Sequence, residues 1–173
     1  VMNEIPGTAI PVLLRRLAEE TGSYGRRVTI DTLGGFGDAM RPYLERWLRD
    51  DRWYVIRNAM GLLQQVGGSQ DSANVRTFLE HPNSKVRLEA LRFLYRYPTP
   101  IEDSVMDRLL ADEDPEVRAR AVYALGVLQG KKGLSRLMAL AAKPFVGEGD
   151  LAKREMAIMG LGREGGEEAV SFL

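Results

Sequence analysis

The stretch Asp114–Gly130, DPEVRARAVYALGVLQG, decides the fold, because the chain rewrites it at a near-constant interval. Aligning on Ala121 and Leu125 finds earlier versions at Ala90 and Leu94, Ala59 and Leu63, and Thr29 and Leu33, and a later one at Ala157 and Leu161. The steps between leucines are 30, 31, 31 and 36 residues, and the small-residue column keeps the same steps. Such a period marks an array of stacked supersecondary units, not one globular core.

A second set of apolar columns precedes each of these: Leu14, Leu44, Val75, Met106, Leu137 and Leu173, followed three residues later by Leu17, Trp47, Phe78, Leu109 and Leu140 in the first five. Apolar residues three and four apart lie on one helical face, as Val75, Phe78 and Leu79 do. Each repeat therefore holds a helix A and then a helix B, and the chain is expected to be all-α. The A-to-B leucine offset is 19 residues in the first four repeats and 24 in the fifth. The expected repeats are 7–37, 38–67, 68–98, 99–129 and 130–165, with 166–173 opening a further unit and Val1–Glu4 closing an earlier one. A single array with raw ends reads as a fragment of a longer chain. Those ends are candidates for end-to-end self-association, since terminal repeats need covering.

Helix boundaries carry their own chemistry. Asp114 before Pro115 predicts an N-cap followed by proline at the first helical position, where the missing N–H costs nothing. Thr99 to Glu102 reads as a capping box, and Asp38 and Ser69 as caps of other A helices. Gly37, Gly67 and Gly130 mark breaks after B helices, while Pro11 and Pro42 should begin or bend their A helices. The apolar-containing insertion 143–149 accounts for the longer fifth offset and is a candidate functional loop.

Composition bounds the function. Cations and anions balance at 24 each, so no overall field draws the chain to nucleic acid or acidic membranes. The absence of cysteine excludes disulfides, thiolate metal sites and a cysteine nucleophile, and one histidine excludes multi-histidine metal sites. No apolar run reaches the roughly 18 residues of a membrane span, and the opening residues lack signal-peptide order, so a cytoplasmic protein is expected.

The repeated pattern Val117-Arg118-x-x-Ala121-x-x-x-Leu125-Gly126, with Val86-Arg87-x-x-Ala90-x-x-x-Leu94 and Asp150-x-x-Lys153-Arg154-x-x-Ala157-x-x-x-Leu161-Gly162, resembles the HEAT-like repeats of the short bacterial type related to phycobilisome-lyase subunits. The resemblance covers nearly the whole chain. It implies a right-handed α-α superhelix of the HEAT/armadillo-like solenoid kind, with about five two-helix repeats. Two departures stand out: Ile56 replaces the column arginine, with Arg57 one place later, and Thr29 replaces the alanine, which predicts looser packing in the first repeat. The arginine column, Arg26, Arg87, Arg118 and Arg154, reads either as a basic ladder or as structural forks binding the caps Asn83, Asp114 and Asp150; the resemblance implies the second.

In that architecture partners bind the concave surface made by the B helices. Asn58, Gln65, Glu89, Arg92, Arg96, Arg120 and Tyr123 are the candidate contacts there, with Val28 and Asp31 extending the strip and Trp53 as a further aromatic anchor. The strip runs from neutral or acidic to basic, which points to a protein or peptide partner more than to a duplex. Gly160 to Gly165 satisfies a dinucleotide-binding string but ends a helix instead of following a strand. His81 sits alone in a turn. The expectation is a non-enzymatic protein-binding scaffold without catalytic residues, metal or cofactor. The rival is a nucleic-acid-binding or HEAT-like DNA glycosylase-type module, against which zero net charge counts.

Overall fold

The computed structural model describes residues 4–142 and 157–159, and these are helical with short connections and no strand. They group into two compact units, Val1–Asp71 and Ser72–Leu173. In the first unit, α1 (Glu4–Glu19) packs on α2 (Ser23–Gly34), α3 (Arg41–Trp47) packs on α4 (Trp53–Val66), and α2 lies beside α4. In the second, α5 (Ser72–Arg76) packs on α6 (Ser84–Arg96), α7 (Asp103–Leu110) packs on α8 (Pro115–Ala142), and α6 lies beside α8. Each pair is a helix A followed by a helix B, and successive B helices are neighbours within each unit.

The aligned columns form the core. Leu33, Leu63, Leu94 and Leu125 are buried, as are Ala59, Ala90, Ala121 and Ala157, and Leu14, Leu44, Val75, Met106 and Leu137 bury the A helices against them. A small side chain at each alanine position lets neighbouring B helices approach until the leucines fill the layer between them. Thr29 is accommodated there and is itself buried, its hydroxyl donating to Gly25 O at 2.8 Å, so the departure from alanine leaves no unsatisfied polar group. Trp47, Phe78 and Leu140 are half-buried, at the outer edge of the same stripe.

The boundaries differ from expectation in part. Asp114 caps α8, its Oδ1 accepting from Glu116 N–H at 2.9 Å, with Pro115 opening the helix. Asn83 caps α6 in the same way through Lys85 N–H at 3.0 Å. The capping box at Thr99–Glu102 does not form: α7 starts at Asp103 with no side-chain cap, and Glu102 instead accepts from Arg76 at 3.3 Å. Asp38 and Ser69 lie within 3-10 turns, Gly37–Met40 and Ser69–Asp71, where the tighter winding displaces them from the cap position. Asp71 takes the anchoring role, accepting from Gly68 N–H and from Arg41. Pro42 opens α3 as expected, whereas Pro11 sits inside α1. Glu4 belongs to α1.

The turn from the fourth repeat into the fifth depends on two glycines. Gly130 adopts φ 55° and ψ −135°, dividing α8 into arms 115–129 and 131–142. A Cβ on Gly133 would lie 2.0 Å from Leu125 O, so only glycine lets the second arm come this close to the first. The loop 143–149, Arg154, Leu161, the Gly160–Gly165 string, Leu173 and the 166–173 segment lie outside the described residues.

Candidate functional site

At Arg87 and Arg118 the arginine column proves to be joinery. The Arg87 guanidinium donates to both Asp112 oxygens at 2.7 Å and to the carbonyls of His81 and Pro82 at 2.8 Å each. It thereby ties the turn that precedes α6 to the turn that precedes α8. The partner acid is Asp112, not the cap Asp114 that the spacing suggested. Asp114 is engaged by Ser84, Lys85 and the α8 amide, and the Ser84 hydrogen bond together with these neighbours holds its carboxyl below the usual range against the opposing effect of burial. Arg118 repeats the carbonyl half of the motif at the same offsets, donating to Asp112 O and Glu113 O at 2.6 and 3.0 Å. Arg87 is raised above its ordinary pKa by the Asp112 bond, as a fully committed cation should be. Such buried forks leave no edge for a phosphate, which removes the basic-ladder reading for Arg87.

The candidate contacts separate into three groups. Asn58 does not belong to the surface: it is buried, donating through Nδ2 to Leu17 O at 3.3 Å and accepting from Arg57 at 2.9 Å. Its place beside the core column Ala59 is the reason, since α1 covers that flank of α4. In the same unit, Gln65 is exposed but hydrogen-bonded to Asp31 at 3.1 Å, and Trp53 is 38% exposed, edge-to-face with Tyr54 at 5.9 Å and under the Arg57 guanidinium at 5.3 Å.

The third group lies on α6 and the first arm of α8, where the structure brings the remaining candidates onto adjoining helices. Arg92 and Arg96 are exposed one turn apart on α6, with Glu89 half-buried and paired with Arg92 at 2.5 Å. Arg120 sits over the Tyr123 ring at 5.6 Å on α8. Tyr123 in turn faces Tyr95 with centroids 4.8 Å apart and planes inclined by 34°, and Arg96 sits over Tyr97 at 5.5 Å. Tyr95 is the residue that sequence reasoning missed. It follows the core leucine Leu94, and nothing in the spacing distinguishes it from an ordinary flank. Its stacking partner 28 residues away shows only once α6 and α8 are side by side.

A cleft lined by Glu80, His81, Arg87, Arg108 and Asp112 is closed by ion pairs among its own residues, Arg87 to Asp112 and Arg108 to Glu80. Among the described residues no group of three or more histidine, cysteine or carboxylate side chains is placed to hold a metal, and no helix is long and apolar enough to cross a membrane.

Helical hairpins recurring at a thirty-residue interval, with side-by-side B helices, define the α-helical repeat proteins. Within that class the chain belongs to the HEAT repeats family, whose pattern it matches over residues 74–148 and 102–173, more than half its length. HEAT repeats generally mediate protein–protein interaction. No curated protein matches the chain at a significant level.

Proposed function

We propose that the chain is a non-enzymatic, cytoplasmic scaffold that binds a protein or peptide on the exposed face of its B helices, with Glu89, Arg92, Arg96, Arg120 and Tyr123 of the second unit as the principal contacts. The observation that carries this reading is the α6–α8 surface, where two stacked tyrosines stand among three arginines on a rigid pair of helices. Tyrosine and arginine are the residue types that dominate interface energetics, and a pair fixed by packing loses little freedom when a partner docks. Gln65 and Trp53 are the candidate contacts of the first unit, and the short bacterial subtype fits the same use.

The test is a pull-down comparing the wild-type chain with Arg92→Glu/Tyr123→Ala, with thermal melts to establish that the double variant folds. Loss of a specific partner is expected, and retention by the folded variant would move the surface elsewhere. The nucleic-acid reading is separated by a salt titration with duplex DNA. Tight binding that falls steeply with salt would favour it, whereas the balanced charge of the chain predicts weak binding.

A further inference from the structure

Among the described residues of the second unit, most cations away from the B-helix face meet carboxylates. Arg76 pairs with Glu102, Lys85 with Asp114 and Glu116, Arg87 with Asp112, and Arg108, Lys132 and Arg136 with Glu80, Asp103 and Asp107. Arg118 is satisfied by backbone carbonyls. Arg96 and Arg120 depart from this pattern. Among the described residues each is held against a tyrosine ring and makes no ion pair, and Arg92 beside them shares one carboxylate, Glu89. Among the described residues of this unit, apart from Arg118 and from Lys131 just past the Gly130 bend, the positive charge without a carboxylate of its own collects on the α6–α8 face that also holds the half-buried Tyr95 and Tyr123.

We infer that the occupant of this face is an acidic peptide segment, whose carboxylates are taken by Arg96 and Arg120 while an apolar or aromatic side chain rests on the Tyr95–Tyr123 pair. The inference rests on the binding reading above and names the partner's chemistry. A guanidinium lying over a ring is oriented by the ring's negative face and still has N–H donors at its edge for a carboxylate. Bidentate pairing with a carboxylate is the strong form of that contact, and pre-orientation reduces the entropy lost in making it. The local excess of arginine also steers an acidic segment toward the face, whatever the neutrality of the whole chain. A nucleic acid would use the same cations, but it needs a continuous positive track, and here Glu89 interrupts it.

The experiment is a selection of peptides from a random library on the immobilised 173-residue chain. The selected sequences are then synthesised, and their affinities are measured by fluorescence anisotropy for the wild type, Arg96→Glu, Arg120→Glu, Tyr123→Ala and, as a charge control off this face, Arg108→Glu. The expected result is enrichment of Asp- and Glu-rich peptides. Each reversal at Arg96 or Arg120 should lower affinity by about tenfold or more, Arg108→Glu should leave it within about twofold, and binding should weaken as salt rises. Enrichment of peptides without acidic residues, still lost on Tyr123→Ala, would overturn the acidic partner and leave the binding face standing. Peptides insensitive to all the face variants, or no enrichment, would overturn both. Displacement of the selected acidic peptides by duplex DNA at lower concentration than by free peptide would replace the occupant with a nucleic acid.

Discussion

The same arginine column ends in two different ways in the two units. In the second, Arg87 reaches the next turn and closes on Asp112, with both side chains close to fully buried. In the first, Arg26 reaches only Thr21 O in its own turn, at 3.3 Å, and its Nε has no acceptor among the described residues. The cause lies at the cap of the following B helix. Asn83 and Asp114 cap α6 and α8 with side-chain oxygens, whereas α4 has Arg52 at that position, which cannot accept and caps nothing. Arg52 instead folds back on Asp50, the acid two residues before it, through Nε and Nη2 at 2.8 Å each. Asp50 stands where Asp112 stands two repeats later, so a single exchange at a cap position diverts the acid that an arginine fork would bridge to.

The comparison breaks most decisively at Arg87. Arg87→Ala leaves Asp112, 7% exposed, without its cation and two turn carbonyls without a donor, and should cost about 3–5 kcal/mol of stability. Arg26→Ala in the first unit should cost far less, because that arginine makes one long bond to a carbonyl. Urea unfolding of both variants measures the difference. Equal losses would mean that the Arg87 fork does not hold the turns together. Adding Asp112→Leu to Arg87→Ala should recover part of the loss by removing the stranded charge, and a pair that is purely decorative would show no such recovery.

A smaller effect sharpens the contrast at the caps. Asn83→Ala removes the bond to Lys85 N–H and should destabilise by about 1 kcal/mol, the usual value of an N-cap side chain. Alanine at position 52 removes no cap, so its effect on α4 should come only through Asp50. Chemical denaturation of the two alanine variants separates these outcomes. A loss at Arg52 as large as at Asn83 would show that the Asp50–Arg52 closure substitutes fully for a cap.

These details explain how far the sequence could be read. The leucine and alanine columns were legible because burial between helices imposes one period on every repeat, and Leu33, Leu63, Leu94 and Leu125 all lie where that period puts them. The Asp114–Pro115 boundary was legible because cap chemistry is local. The contact list was only partly so. Asn58 has the spacing of an exposed position on α4 but is covered by α1, a neighbour that no periodicity within α4 can reveal. Asp112 and Tyr95 were missed because their roles depend on residues 25 and 28 positions away, and such partners become visible only when adjacent hairpins are stacked.

The smallest test of the comparison is a titration. Asp50 titrates at about 2, below the ordinary 3.8, chiefly because the Arg52 side chain hydrogen-bonds its charged form; burial opposes the shift, and Arg52 N–H adds to it at 2.9 Å. The unfolded chain therefore takes up this proton first as the pH falls. The stabilisation from the closed turn is complete above the ordinary carboxylate value and is lost as the pH drops from there toward 2. Arg52→Ala should return the Asp50 carboxyl toward its ordinary value, followed by its NMR chemical shift, and should flatten this part of the acid limb of stability. The same substitution frees Asp50 from its own turn. If the diverted acid is what distinguishes the two units, a double-mutant cycle between Arg26 and Asp50 should show coupling in the Arg52→Ala background and little in the wild type. An Asp50 that titrates near 3.8 with Arg52 in place would mean that this turn is open in solution, and the difference between the two units would then need another cause.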